Sequence, residues 1–410
     1  MSATINAWQK SRDTLQIAYC ALASRVAACI FMILSDACIP DWDDGDQTVA
    51  QLQGPPGLQA FMRWDAARFL MIAQLGYTDE QMHAFFPGLP LVIRTMTPGF
   101  LGELGFVVSG AIFTNACFVV SAVAFHNLSH QLLGPRLALR ATLVYCATPA
   151  SVFHSSIYTE SPFALCTFLG LMCLHSGESL RASFFFACAT CFRSNGIVNA
   201  CFILYFAFLT SARQRAFLPA FKGVALSVFV ILPFVLMEYH GYTKFCKLCN
   251  SVSSEDNSQV KSMPSWCHRP VPSIYQHVQQ TYWGNGLFRY WELKQVPNFL
   301  LAAPALLVAF RSASSFFNEF SKDALQGFLH DSRRTALLPH VVHMCALALL
   351  SLLTMNVQVT TRLLSAACPS FHWWLARVSL NPRSRHYVFW YLGLYNVVGI
   401  LLHSNRLPWT

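Results

Sequence analysis

One short segment of this sequence concentrates side chains that can do chemistry. Asp65 lies beside Trp64 and between Arg63 and Arg68. In a helix Arg68 follows Asp65 by three positions and can share its face, and a neighbouring positive charge keeps a carboxylate ionised. An ionised carboxylate can act as a general base toward a hydroxyl group. We predict that catalytic role for Asp65; the alternative is an aspartate that caps a helix or braces a loop with an arginine partner.

Further acidic side chains lie on both sides of this segment. Glu80 follows it by one loop and is the second candidate for catalysis, and an acidic patch precedes it at Asp41, Asp43, Asp44 and Asp46. Carboxylate oxygens can hold a hard metal ion, but a solvated loop face explains such a run more simply. We therefore predict no metal and no cofactor.

A compact aromatic cluster follows Glu80. Phe85-Phe86-Pro87 predicts a rigid turn against the membrane interface. The two phenylalanines could anchor the chain at that interface, or they could cover a lipid tail, and both interpretations stay open.

Three cationic side chains lie where they could meet an anion. Arg193 interrupts an apolar run. If it is buried there, it needs a phosphate or a salt bridge, to which Glu160 or Glu178 could contribute. Lys294 and Arg362 stand at the beginning of late apolar segments, where they could bind a phosphate or snorkel to the interface.

The elements that must position these residues cross a membrane. Hydrophobic residues make up 54% of the sequence and charged residues 11%, with a mean hydropathy of +0.41, whereas a soluble domain carries about a quarter of charged residues. The composition therefore predicts a polytopic membrane protein. The net charge of +9 is divided among short loops and forms no continuous basic face, so it indicates membrane orientation and no nucleic-acid partner.

A helix needs about 20 mainly apolar residues to cross a hydrocarbon core of roughly 30 Å. We predict an all-α bundle of about ten transmembrane helices, with residues 1–410 forming one membrane-embedded domain. Segments as short as 182–192 could be half-helices or re-entrant. The candidate spans are 14–35, 104–125, 138–154, 161–176, 182–192, 194–211, 223–238, 297–311, 335–355, 362–378 and 386–403.

Positive loop charge sets the predicted orientation, because basic loops stay in the cytosol. The opposite, lumenal side then receives a first connector (36–103), a second connector (239–296) and the turn 154–160, where we expect short interfacial helices. The sequon at Asn127 is then cytosolic and unused. The basic loops are 136–140, 213–222, 311–334 and 377–385.

Most of the 15 cysteines lie inside apolar runs, where they act as small hydrophobic residues. Cys246, Cys249 and Cys267 instead lie in the polar second connector. A zinc site needs four ligands at characteristic spacing, and only His268 adds to these three. A disulfide in an oxidising lumen is the preferred prediction, with unpaired thiols as the alternative.

With these residues identified, the chain resembles the PIG-V family, the second mannosyltransferase of glycosylphosphatidylinositol (GPI) anchor assembly. The resemblance extends from about residue 39 to 370. It rests on Ile39-Pro40-Asp41; on Trp64-Asp65-Ala66, Phe69-Leu70, Ile72-Ala73, Gly76-Tyr77, Glu80 and Ala84-Phe85-Phe86-Pro87-Gly88-Leu89-Pro90-Leu91; on Phe192-Arg193-Ser194-Asn195-Gly196; on Tyr290-Trp291-Glu292-Leu293-Lys294-Gln295-Val296-Pro297-Asn298-Phe299-Leu300-Leu301-Ala302-Ala303-Pro304; and, more weakly, on Arg362 with Ser365 and Pro369.

The resemblance implies a GT-C-like glycosyltransferase of the endoplasmic reticulum (ER) membrane with a lumenal active site. It implies dolichyl-phosphate-mannose as the donor and a mannosyl-glucosaminyl-phosphatidylinositol lipid, often inositol-acylated, as the acceptor. The product linkage would be α-1,6, formed with inversion and without a covalent enzyme intermediate. A small accessory membrane subunit is a further possible partner.

Site roles follow from the same resemblance. Asp65 would be the base, and Arg193, Lys294 or Arg362 would hold the departing dolichyl phosphate. Phe85 and Phe86 would shape the lipid entrance. The remaining predicted site residues are Glu80 as a second catalytic group, and Arg63, Trp64, Arg68, Asn195, Gln295 and Asn298 as substrate-binding groups.

One position departs from the family pattern. The family usually has histidine where this sequence has Arg68, and an arginine stays protonated, which puts a proton-transfer role there in question. His83, at a usually aromatic position, could compensate.

Three other classes of protein fit part of the pattern. A different lipid-linked glycosyltransferase, such as one that builds N-glycan precursors, is the nearest in mechanism, and the block 290–304 argues against it. A secondary transporter would usually show an internal repeat, and we find none in the sequence. A non-catalytic GPI-assembly subunit would tolerate Asp65→Asn.

Overall fold

The computed structural model describes residues 2–42, 57–247, 263–320 and 332–409. All regular secondary structure in these ranges is helical, which confirms the predicted all-α architecture. The α-helices are α1 (Ser2–Cys38), α2 (Asp65–Leu75), α3 (Gly88–Met96), α4 (Gly102–Leu133), α5 (Pro135–Cys146), α6 (Ser151–Ser155), α7 (Glu160–His175), α8 (Ser179–Phe192), α9 (Ala200–Gln214), α10 (Leu218–Tyr242), α11 (Ile274–Thr281), α12 (Val296–Phe320), α13 (Ser332–Thr354), α14 (Thr360–Ala367), α15 (Pro369–Ser379) and α16 (Arg385–Ser404).

Within the described ranges, seven helical segments are long and apolar enough to cross a membrane. Their lengths of 20 to 35 residues meet or exceed the roughly 20 residues that a bilayer core requires, so the polytopic prediction is confirmed. The segments are Asp13–Cys38, Gly99–Leu133, Ser194–Gln214, Leu218–Lys247, Leu293–Asn318, Arg334–Thr354 and Arg385–Ser404.

The other predicted spans are short or broken. α7 and α8 have 16 and 14 residues and pack against each other. The predicted span 138–154 divides into α5 and α6 around Pro149, and 362–378 divides into α14 and α15 at Pro369. A proline lacks the backbone N–H and disfavours helical geometry in the preceding residue, and Cys368 before Pro369 is extended.

The largest apolar core lies where α4, α5, α7 and α8 meet α14 and α15. Its fully buried aromatic side chains in the described ranges are Phe118, Phe125, Tyr145, Phe163, Phe168, Phe186, Phe202 and Phe371. α1 and α10 instead expose large apolar side chains, as expected of helices that face lipid.

A buried arginine on α1 braces the turn that leads to α7. The Arg25 guanidinium donates to the backbone oxygen of Ser151 at 2.9 Å and to Ser155 Oγ at 2.9 Å. Both partners belong to α6, and the turn 156–159 follows directly. Arg25 therefore fixes the approach of this turn to the bundle.

The two connectors and the turn 154–160 meet at one end of the bundle. Trp266 Nε1 donates to Glu80 Oε1 at 2.9 Å, which joins the second connector to the first. The Asp65 N–H donates to the Tyr158 hydroxyl at 3.1 Å, which joins the first connector to the turn. Short helices α2, α3 and α11 lie in these connectors, as predicted.

Two of the basic loops also meet. Arg140 Nη1 donates to the backbone oxygen of Ser379 at 3.0 Å. This contact places the predicted cytosolic loops 136–140 and 377–385 together.

Candidate active site

A cavity of about 490 Å³ opens where the connectors meet the bundle. Its charged lining residues in the described part of the chain are Asp65, Arg193 and Arg362. An apolar wall comes from α13, α14 and the turn between them, with Leu347, Leu350, Met355, Val359 and Leu363. A second wall, here called the amide wall, comes from α11 and the turn after it, with Gln276, Gln279, Gln280, Trp283 and Asn285.

Asp65 lies at the first position of α2, with its side chain 31% exposed. Its Oδ2 accepts hydrogen bonds from Arg362 Nη1 and Nη2, each at 3.2 Å, while Oδ1 accepts none from the described residues. The carboxylate is therefore paired on one side and open to the cavity on the other. The predicted pairing with Arg68 is replaced by a pairing with Arg362, 297 residues away.

The backbone before Asp65 is strained. Trp64 has φ 58° and ψ −127°, a conformation that bulky residues rarely adopt and that costs about 1–3 kcal/mol. The Tyr158 hydroxyl accepts from the Asp65 N–H at 3.1 Å and donates to the Arg63 carbonyl at 3.5 Å. Burial raises the pKa of Tyr158 well above its ordinary value, so the phenol stays protonated and keeps both bonds.

A second carboxylate lies behind the cavity surface. Glu160 is fully buried at the start of α7. Its Oε1 accepts from Arg193 Nη1 and lies 3.6 Å from Arg362 Nε. The four groups form a row of alternating charge, here called the charge row, in the order Asp65, Arg362, Glu160 and Arg193. The alternative that paired Arg193 with Glu160 is thereby observed, and Arg193 still lines the cavity.

Six of the predicted site residues line this cavity. Phe85 packs edge-on against Phe69 at 5.2 Å between ring centroids, and Phe86 stacks with Phe234 at 5.9 Å. Asn195 Oδ1 accepts from Arg193 Nε at 3.3 Å, and its Nδ2 is buried without a partner among the described residues. The six are Asp65, Phe85, Phe86, Arg193, Asn195 and Arg362.

Glu80 does not line the cavity. Its carboxylate accepts from Trp266 Nε1 at 2.9 Å and lies 3.4 Å from His277 Nε2. It therefore joins the first connector to the second, and the geometry gives no support to a catalytic role.

The predicted residues of the block 290–304 also lie outside the cavity lining. Lys294 is 72% exposed and pairs with Glu292 at 2.5 Å. Asn298 Nδ2 donates to Gln295 Oε1 at 2.7 Å and to the Tyr290 hydroxyl at 2.8 Å. These side chains contact one another, so the structure brings neither Gln295 nor Asn298 to Asp65.

Three further predicted site residues flank Asp65 in the sequence but do not line the cavity. They are Arg63, Trp64 and Arg68. Arg63 is buried and forms ion pairs with Asp36 at 2.7 Å and Asp41 at 2.8 Å. It therefore anchors the first connector to the end of α1. The other members of the acidic patch, Asp43, Asp44 and Asp46, lie outside the described residues.

His83 lies in a separate aromatic cluster. Its Nε2 is 3.1 Å from His240 Nδ1, and its ring lies 4.7 Å from that of Tyr77. Burial, with the nearby His240, lowers the pKa of His83 to about 4. It does not line the cavity, so it cannot replace a proton-transfer group beside Asp65.

The second connector contains a disulfide between Cys246 and Cys267, with 5.7 Å between the Cα atoms. The preferred prediction of a disulfide is thus confirmed, and Cys249 lies outside the described residues. The sulfurs pack with Trp266, Ile274 and Val278 in a small apolar cluster beneath α11. The cross-link therefore supports the helix that carries the amide wall.

Sequence reasoning missed the amide wall and Tyr158, and it weighed Glu160 only as a partner for Arg193. The signal available for Glu160 was a lone acid at the start of an apolar helix. The glutamines of α11 gave no such signal, because uncharged amides in a polar connector are ordinary.

Comparison with known proteins gives one consistent family. A sequence model of the family described as "Mannosyltransferase (PIG-V)" matches residues 30–410. The GPI alpha-1,6-mannosyltransferase 2 of Cricetulus griseus is 33% identical, with 89% of this chain and 90% of the relative covered. The human protein of the same name is 31% identical, with 98% and 100% covered.

Solved structures offer a weaker likeness. The archaeal oligosaccharyltransferase AglB from Archaeoglobus fulgidus, in complex with an inhibitory peptide and a dolichol-phosphate, matches with a TM-score of 0.48 and 11% identity. The match covers 94% of this chain, which spans 55% of that structure.

Proposed function

This chain belongs to the PIG-V family of mannosyltransferases, and we propose that it adds the second mannose of the GPI core. In this proposal the donor is dolichyl-phosphate-mannose, the acceptor is a mannosyl-glucosaminyl-phosphatidylinositol lipid, and the new linkage is α-1,6. A multi-pass place in the ER membrane and activity as a glycosyltransferase follow from family membership. The observation that carries the detailed mechanism is the half-paired Asp65 carboxylate in the lining of a cavity that is also lined by two arginines.

The cavity chemistry supports a lipid-linked donor. Arg193 and Arg362 offer guanidinium donors that suit a phosphate, and the apolar wall beside them suits the first part of a lipid chain. We assign the donor phosphate to these two residues. Lys294 is not needed for this assignment, because it pairs with Glu292 at the surface.

Asp65 is the base in this mechanism. Its open Oδ1 takes the proton from the acceptor hydroxyl, whose oxygen forms a bond to the anomeric carbon of mannose. The bond between that carbon and the phosphate oxygen breaks, and its electron pair leaves with dolichyl phosphate. The β-linked donor thus gives an α-linked product in one displacement, which requires no enzyme nucleophile.

The charge row explains why the step can run without a change in net site charge. Asp65 becomes neutral as the leaving phosphate gains a second negative charge. Arg362, released from the Asp65 carboxylate, can then donate to the phosphate, while Glu160 still holds it in place. Donors that are prepositioned for charge developing in the transition state are the usual source of large rate effects.

Two observations support a lumenal position for the site. The connectors line the cavity, and the 32-residue helix α4 separates the first connector from the basic loop 136–140, which contacts the basic loop 377–385. Basic loops mark the cytosolic side. The Cys246–Cys267 disulfide lies in the same layer as the cavity, and disulfides persist in the oxidising ER lumen. The predicted accessory subunit stays a prediction.

The test is rescue of cells that lack this transfer step. The full chain should restore GPI-anchored proteins at the cell surface. Asp65→Asn should leave the one-mannose lipid accumulated and should slow mannose transfer in microsomes by about 10²–10⁴-fold, because it removes general-base catalysis. Asp79→Asn is the matched control, since the exposed Asp79 carboxylate bonds Thr78 in the same connector.

Equal rescue by wild type and Asp65→Asn would remove Asp65 from the mechanism and favour a non-catalytic assembly subunit. A well-expressed wild type that leaves the one-mannose lipid unconsumed in microsomes would contradict the acceptor assignment.

A further inference from the structure

The amide wall is one face of a short amphipathic helix. Gln276, Gln279, Gln280 and Trp283 follow at positions i, i+3, i+4 and i+7, so they lie on one side of α11 and its continuation. The other side buries Ile274 and Val278 against Trp266 and the disulfide. The helix therefore turns its polar face toward the cavity.

This wall has hydrogen-bonding capacity that the protein itself leaves unused. The side-chain amides of Gln276 and Gln280 make no hydrogen bond to another described residue. Asn285 Nδ2 donates to Gln279 Oε1 at 2.6 Å, while Asn285 Oδ1 is buried without a partner among the described residues. Buried polar atoms normally have partners, so the unpaired Asn285 Oδ1 points to a ligand that supplies one. Gln276 is exposed and Gln280 is half-buried, so their amides are accessible to the same ligand.

The chemistry of the wall indicates what that ligand carries. Each amide can both donate and accept, which matches hydroxyl groups, and the wall has no cation for a phosphate. Trp283 adds an apolar ring face together with an N–H donor. A carbohydrate presents hydroxyls at its edge and C–H groups on its face, and it fits both features.

Side-chain contacts also fix the position of the amide wall relative to the charge row. The Tyr275 hydroxyl lies 2.7 Å from Ser194 Oγ, next to Arg193. Trp283 packs edge-on against Phe85 at 6.0 Å, and Phe85 packs against Phe69 one turn after Asp65 on α2. A sugar on the wall is thus positioned relative to both the base and the phosphate site.

We propose that the amide wall binds the carbohydrate head of the acceptor. This inference rests on the proposed function and deepens it. The donor contributes a single sugar beside the guanidiniums, whereas the acceptor head has several hydroxyl-bearing rings and needs the longer surface. The glutamines then select the acceptor and present its hydroxyl to Asp65.

The first experiment separates the two substrates by their KM values in microsomes that contain the full chain. Gln276→Ala combined with Gln280→Ala should raise the acceptor KM about tenfold, the effect of losing one or two neutral hydrogen bonds. The donor KM should stay within twofold. Thr281→Ala is the matched control, because Thr281 is an exposed residue of the same helix outside the cavity lining.

A panel of acceptors, each lacking one hydroxyl, provides the second readout. At least one deoxy acceptor should lose activity with the wild type but lose little more with the double variant, because the two changes remove the same hydrogen bond. Trp283→Phe should keep most of the affinity, and Trp283→Ala should lose it.

A photoreactive phenylalanine analogue at position 280 tests binding without turnover. It should capture a radiolabelled acceptor lipid, and excess unlabelled acceptor should prevent the capture. A raised donor KM with an unchanged acceptor KM, or capture of the donor alone, would overturn the proposal. If the wild type transfers no mannose yet the probe captures the acceptor competitively, the proposed function fails and the acceptor site stands.

Discussion

Asp65 and Glu160 both approach the Arg362 guanidinium, but their surroundings give them different roles. The Asp65 side chain is 31% exposed and lines the cavity, whereas Glu160 is fully buried. A buried carboxylate between two guanidiniums cannot reach a sugar hydroxyl without rearrangement. Glu160 is therefore a positioning residue that holds Arg193 and Arg362 side by side.

This assignment predicts that substituting Glu160 lowers the stability of the protein, whereas substituting Asp65 lowers its activity. Glu160→Gln should destabilise the protein by about 3 kcal/mol, because removing one partner of a buried ion pair leaves uncompensated buried charge. Thermal unfolding in detergent should show a lowered midpoint, while Asp65→Asn should keep a near-wild-type midpoint. A Glu160→Gln protein that is inactive yet as stable as the wild type would instead indicate that Glu160 contacts the substrate.

At the residue scale the sequence identified the three charged residues of the cavity lining but not the residues that pair with them. Asp65, Arg193 and Arg362 could be identified because charges are costly in an apolar chain and are usually retained for function. Lys294 looked equally suitable by that argument. No local pattern shows that Lys294 is satisfied by Glu292 at the surface, or that Asp65 pairs across 297 residues.

At the scale of elements, the position of α11 depends on residues of the two connectors that pack against it. The Cys246–Cys267 bridge, Trp266 and Glu80 hold it against the first connector. Without the bridge, this small cluster has few other apolar contacts, so the second connector should open locally before the membrane helices do.

Replacing both bridged cysteines by serine tests this expectation. The bridge closes a loop of 21 residues, and losing a cross-link of this size costs about 2–4 kcal/mol. Limited proteolysis of permeabilised microsomes should cut the second connector faster, with a raised acceptor KM. Cys201→Ser is the control, since Cys201 is an exposed free thiol on α9. Unchanged cleavage would show that α11 is held without the bridge.

The cluster around His83 should make the first connector sensitive to acid. The pKa of His83 falls to about 4 on burial, against an ordinary value of about 6.5. Between pH 6.5 and pH 4, His83 therefore binds a proton in the unfolded chain but not in the folded chain. The stability contribution is complete above pH 6.5 and is lost as the pH falls from 6.5 toward 4, up to roughly 3 kcal/mol.

His83→Phe should keep the ring packing and remove this titration. Unfolding midpoints measured between pH 4 and 7.5 should then fall less steeply with acid than those of the wild type. Parallel curves for the two proteins would assign the acid sensitivity to other groups. His386→Phe is a suitable control, because His386 lies near the start of α16, outside this cluster.

The helix boundaries show the limits of pattern reading at the element scale. Apolar length located the long spans, and the prolines at 149 and 369 mark where two predicted spans break. The sequence did not reveal that α11 turns its polar face inward. A polar helix in a connector looks solvent-facing until the neighbouring elements are known.

For the whole molecule, we predict that the connectors and the basic loops lie on opposite sides of the membrane and therefore differ in their access to an impermeant thiol reagent. In sealed microsomes with the cytosolic face outward, an impermeant maleimide should label Arg383→Cys directly. Cys38, exposed at the end of α1, should react only after permeabilisation. The measurement uses a background in which the other reactive thiols are serine, and the Asn127 sequon should stay unglycosylated.

Labelling of Cys38 in sealed vesicles would reverse the orientation and place the cavity in the cytosol. Such a result would also conflict with the disulfide, because reducing compartments keep thiols free.

The overall architecture was accessible from composition because a chain with 11% charged residues cannot cover a soluble surface. For the two connectors and the turn 154–160, the sequence predicted only that they lie on the same side of the membrane. Their contacts, and hence the shape of the cavity, depend on pairings far apart in the chain.

The size of the cavity has a consequence for how the reaction must be measured. About 490 Å³ is the room of a drug-sized pocket, so it can take sugar rings and a phosphate but not the length of a polyprenyl or diacyl tail. Both tails must remain in the bilayer, and the two substrates meet by lateral diffusion. The rate then follows their mole fraction in the membrane, and adding inert lipid at constant bulk concentration should slow the reaction by surface dilution.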